Sequence, residues 1–157
     1  MDQREIDLAL DQLMVSVRAF AFAFTSSVWM FLIAGWLLVV QRGVGPFMEV
    51  STAVIAVVVA AGLGVIVIGY VASRSILGQQ AGPNPDDGAL MQRYIKAVVM
   101  ACALRELATI VGFALSLLTG NFTWVVVLAG ATMFSMAVHW PRRDAVEDWI
   151  QQQQRRS

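Results

Sequence analysis

The sequence predicts an all-α membrane protein: four transmembrane helices as two hairpins, with amphipathic N- and C-terminal helices on the cytoplasmic side. Three observations lead there. Of 157 residues, 58% are hydrophobic and 14% charged, whereas soluble domains hold about 45–50% apolar and about 25% charged residues. Mean hydropathy is +0.67. The apolar residues fall into four runs of roughly the length that a helix needs to cross a bilayer, and the basic residues crowd the segments that would lie on one face.

Residues 1–18 read as an amphipathic helix. Ile6, Leu10, Leu13, Met14 and Val17 follow the helical period, and Asp2, Arg4, Glu5, Asp7, Asp11 and Arg18 fall mostly on the other face. Asp2 with Glu5 resembles a capping box. The segment is acidic and lacks a short apolar core with a cleavage site, so it is not expected to be a removable leader. It serves either as an interfacial lead-in or as a docking helix.

Residues 19–74 make the first hairpin. Its first span, about 19–40, is aromatic-rich and carries a notch of Thr25, Ser26 and Ser27. Hydroxyls can bond the backbone one turn back, so such a notch is tolerated. Gly43, Gly45 and Pro46 break the chain. The second span, about 50–70, is Val- and Ile-rich with small patches at Ala60, Ala61, Gly62, Gly64 and Gly69, where helices can approach closely.

Residues 75–88 form a cytoplasmic linker dense in Gly, Pro and Asp. Residues 89–140 make the second hairpin, turning at Thr119-Gly120-Asn121. Pro141 ends it, and residues 141–157 form an amphipathic tail with Val146, Trp149 and Ile150 on one side. Asp144 with Glu147 reads as a second acidic capping box.

With four spans, both termini and the linker share one side. That side holds Arg4, Arg18, Arg74, Arg93, Lys96, Arg142, Arg143, Arg155 and Arg156, against Arg42 alone on the other. The positive-inside rule then places both termini in the cytoplasm of what reads as a bacterial inner membrane.

Span three, residues 97–118, carries Arg105 and Glu106 about 12–13 Å from its inner end. A charge at such depth costs about 2.5–3.5 kcal/mol on insertion scales. Thr25, Ser26 and Ser27 of span one and Thr132 and Ser135 of span four reach a similar level. The expectation is one intramembrane polar layer of Arg105, Glu106, Thr25, Ser26, Ser27, Thr132 and Ser135. Gly112, Ser116 and Gly120 recur every four residues and are expected to pack helix on helix. Neighbouring residues point about 100° apart, so Arg105 and Glu106 do not face one another.

The pair admits three roles: a structural network with the hydroxyls, proton or ion exchange at Glu106, or contact with a partner protein or lipid headgroup. The run Glu106-Leu107-Ala108-Thr109-Ile110-Val111-Gly112-Phe113 is similar to the ion-carrying helix of the rotary ATPase proteolipids (V-type c subunits). In that family a membrane carboxylate precedes a small residue, Ile, any residue, Gly and an apolar residue. The resemblance spans about eight residues and implies four spans with Glu106 as the ion-binding carboxylate. The sequence departs from that pattern in having the carboxylate in span three, a neighbouring Arg105, and long charged tails.

No motif of catalysis appears: no phosphate loop, zinc pattern or Ser-His-Asp set. His139 and Cys102 lack companions at metal-ligand spacing, so no metal or cofactor is expected. The arginine pairs Arg142–Arg143 and Arg155–Arg156 suit anionic lipid, not nucleic acid. The expected partners are the bilayer and either a homo-oligomer or a larger membrane complex. The expected role is an accessory or structural subunit without enzymatic activity, the alternative being ion translocation through Glu106.

Overall fold

The computed structural model describes residues 3–79 and 87–156. Asp2 of the first capping box and residues 80–86 of the linker lie outside these. Five helices follow one another: α1 (Gln3–Gly35), α2 (Thr52–Gly78), α3 (Asp87–Thr119), α4 (Thr123–Val138) and α5 (Arg143–Arg156), and α1 runs on into a π-helical turn, Trp36–Gln41. The described residues contain no strand. Three helices are long and apolar enough to cross a membrane, or four if the bent pair α4 and α5 counts as one.

The amphipathic start and the first apolar run are one continuous helix. No residue between Gln3 and Gly35 breaks it. Leu10, Leu13, Met14 and Val17 are buried in a cluster with Leu90 and Tyr94 of α3 and Val146 and Ile150 of α5. The amphipathic stripe therefore faces protein.

Helix α3 is the hub. It packs against α1, α2 and α4, whereas α1 and α2 scarcely touch one another. Consecutive helices 1 and 2 are thus joined in sequence but separated by α3 in space. Glycines set the closest approaches. A Cβ at Gly112 would lie 2.9 Å from the Trp124 carbonyl oxygen, and one at Gly62 would lie 3.0 Å from Leu128 Cδ1.

Two ends of the bundle are closed differently. At one, the α1–α2 connection seats on the α3–α4 turn, where Phe47 N donates to Leu118 O at 3.0 Å. Gly45 and Gly120 meet there with φ of +100° and +64°, and a Cβ on Gly45 would come within 2.7 Å of Leu117 O. A left-handed backbone with no room for a side chain requires glycine. Gly120 accordingly belongs to this turn and not to a helix face.

At the other end, α5 lies across the start of α1, the start of α3 and the end of α2. Trp149 Nε1 donates to Leu77 O at 2.9 Å, and Arg143 pairs with Asp11 at 2.8 Å. Helix α5 turns 64° from α4. Arg143 is already helical, and Glu147 bonds Arg143 Nε at 2.6 Å. Glu147 therefore serves an i,i+4 pair, and the expected Asp144–Glu147 capping box does not form. Helix α2 has an ordinary cap: Ser51 Oγ accepts from Val54 N at 3.4 Å.

Candidate functional site

Arg105 and Glu106 are neighbours on the hub helix, and the roughly 100° step between them sends their side chains to different places. Glu106 turns to α1, where Ser27 Oγ donates to Glu106 Oε1. The same hydroxyl lies 3.0 Å from its own helix at Phe24 O. Among the described residues Glu106 forms no ion pair with Arg105.

The α4 side is tied by a second chain of bonds. Thr109 Oγ1 donates to Thr132 Oγ1 at 3.2 Å, and Thr132 Oγ1 donates to the Arg105 carbonyl at 3.0 Å. Both threonines are fully buried. Ser116 is also buried, and its Oγ accepts from Val125 N at 2.8 Å, which satisfies one of the free amides in the first turn of α4. Sequence reasoning placed Ser116 in the packing stripe but not in this capping role.

The hydroxyls of Thr25 and Ser26 serve their own helix. Thr25 Oγ1 donates to Ala21 O at 2.8 Å and approaches Met136 Sδ at 3.6 Å, while Ser26 Oγ donates to Phe22 O at 2.9 Å. Ser135 contributes its backbone carbonyl, which lies 2.9 Å from His139 Nδ1. The layer therefore resolves into two networks, Ser27–Glu106 between α3 and α1 and Thr109–Thr132–Arg105 between α3 and α4.

The Arg105 guanidinium belongs to neither. Its side chain lines a cavity of about 690 Å³ to which all five helices contribute, α1 through Ala21. Arg105 is 3% exposed, and its Nε has no hydrogen-bond partner among the described residues. Ala21 and Met136 close the floor beside it, both buried. Arg74, His139 and Arg142 form an exposed rim. Tyr70 joins them, its ring 4.8 Å from that of His139 and 5.3 Å from the Arg74 guanidinium carbon.

Sequence reasoning read Arg74 and Arg142 as topology signals and found no ligand companions for His139. It did not bring them to one cavity with Arg105. The only signal for that was the excess of arginine at one end, because the residues come from segments some thirty or more positions apart.

The described residues include no cluster of His, Cys, Asp or Glu that could hold a metal ion. Comparison with family models, curated proteins and solved structures finds no match to this chain. The fold and site define a helical bundle with three to four helices able to cross a membrane, a buried polar interior and a cationic cavity at one end.

Proposed function

We propose that the chain is an integral membrane protein that serves as an accessory or structural subunit of a larger membrane assembly or homo-oligomer, without catalysis of its own. It would sit in a bacterial inner membrane as two hairpins, with the α5 end and both termini in the cytoplasm. The basic residues gathered at that end support the orientation.

The observation that carries the role is the outer face of α2. Gly62, Ile66 and Gly69 are buried against the bundle. On the opposite side Ala56, Ala60 and Gly64 recur every four residues. Ala56 and Ala60 are exposed, and a Cβ at Gly64 would meet no atom within 4 Å. Exposed Val57, Val67 and Val71 flank the row. In lipid, such small-residue rows let a second helix approach closely.

Mild extraction followed by native electrophoresis tests this reading. The wild type is expected to run as an assembly well above its 17.1 kDa chain mass. Ala60→Leu and Gly64→Leu are expected to release it from that assembly. A wild-type chain extracted as a monomer overturns the role.

A second reading, proteolipid-like exchange of protons or ions at Glu106, has one observation in its favour. Among the described residues this carboxylate has a hydroxyl partner and no cation. Carbodiimide labelling of Glu106 at a pH-dependent rate is its expected outcome, and no labelling at any pH excludes it.

A further inference from the structure

The cavity under α5 is one-sided in charge. Arg105 stands at its floor and Arg74 and Arg142 at its rim, and among the described residues no Asp or Glu lines it. The only carboxylate adjacent to Arg105 in sequence, Glu106, is turned away to Ser27. Water in a polar cavity can satisfy a free N–H. Water cannot supply the counter-charge, and a buried cation without one is strongly disfavoured. The arrangement calls for an anion from outside the chain.

We propose that this cavity binds the phosphate-bearing headgroup of an anionic membrane phospholipid, with Arg105 at the floor holding the phosphate. The planar guanidinium presents paired donors that match phosphate oxygens. The cavity volume of about 690 Å³ falls within the usual range for small-ligand sites, about 300–1,000 Å³. The α3 face that lines it runs from Tyr94 to Arg105, about 16 Å of helix. Between these ends the walls are apolar, with Ala97, Ala101 and Met136. Those walls add no donor for a free phosphate ion. Basic pockets between helices near a cytoplasmic surface are the setting in which anionic headgroups are held. The proposal does not rest on the assembly role: a monomeric chain that binds the lipid leaves it intact.

The test uses the full chain, purified in detergent and stripped of lipid. Trp140 and Trp149 line the cavity and report binding by their fluorescence. Short-chain phosphatidylglycerol, short-chain phosphatidylcholine and inorganic phosphate are titrated separately. Phosphatidylglycerol is expected to saturate, with phosphatidylcholine about tenfold or more weaker. Arg105→Gln is expected to weaken phosphatidylglycerol by about tenfold or more. The double variant Arg74→Gln/Arg142→Gln alters only exposed rim positions and is expected to weaken binding and flatten its salt dependence. Should Arg105→Gln not fold, the rim variant decides, and unchanged binding there overturns the site. Equal binding of the two lipids overturns anion recognition. Inorganic phosphate binding as tightly as phosphatidylglycerol overturns the lipid as occupant.

Discussion

Ser27 on α1 donates a hydrogen bond to the Glu106 carboxylate on α3, so the acidic member of the buried pair is bound to a hydroxyl of another helix and not to its basic neighbour. The two charges of the hub helix are thereby separated, one used to fasten α1 and the other delivered to the cavity under α5. Every expectation about stability in the polar interior follows from which partner each group has.

Removing the donor isolates the carboxylate. Ser27→Ala is expected to destabilise the bundle by about 1–2 kcal/mol, the scale of a lost hydrogen bond to a charged group inside a helical membrane bundle. In a Glu106→Ala background the same change should cost much less, since the partner is already gone. Denaturant unfolding of the four proteins in detergent micelles measures the cycle. Equal costs in both backgrounds rule out the coupling.

The threonine chain makes a separate prediction. Thr132→Val keeps the shape but removes the donor to Arg105 O and the acceptor for Thr109. The expected loss is about 0.6 kcal/mol and no more than about 1.7 kcal/mol, the average and the maximum measured for polar side-chain bonds between membrane helices. Adding Thr109→Val should change the unfolding midpoint little further, and a full second loss argues against a single chain.

Gly112 controls how near α4 can come. Valine there would place its Cβ 2.9 Å from Trp124 O and 3.0 Å from Leu128 Cβ. Neither backbone nor Cβ can yield without moving α4. Overpacking of this kind costs about 1–3 kcal/mol. Gly64→Val in α2 meets open space and should leave monomer stability within about 0.5 kcal/mol. Similar thermal midpoints for the two variants contradict the packing argument.

Helix α5 is held by its apolar face. Val146 is fully buried among Leu13, Leu90 and their neighbours. Val146→Asp should raise amide exchange throughout α5 and shift Trp149 emission to the red, because an unpaired carboxylate cannot remain in that cluster. Breaking the Asp11–Arg143 pair by Asp11→Asn should do far less. Both side chains are substantially exposed, and such pairs contribute about 0–1 kcal/mol. Exchange that rises equally in the two variants refutes the apolar docking.

The apolar runs, the breakers at Gly43, Gly45 and Pro46, and the position of Arg105 and Glu106 near the middle of one apolar helix were all readable in order along the chain. Hydropathy and chain reversal are properties of contiguous residues, so they need no tertiary information. The continuity of α1 was harder to see, because the change from amphipathic to uniformly apolar sequence reflects a change of surroundings, protein cluster below and an open face above, and not a break in the backbone.

Sequence by itself determined that the chain is helical, where its apolar helices run, and that one of them carries a guanidinium and a carboxylate at its middle. It also dictated, through the 3.6-residue period, that these two groups diverge. Only the tertiary structure decided that the carboxylate meets Ser27, that Thr132 reaches the carbonyl of Arg105, and that Arg74, Arg105 and Arg142 line one cavity. Those choices depend on which helices become neighbours around α3, and that is set by the sum of many packing contacts between distant segments, which no local pattern encodes.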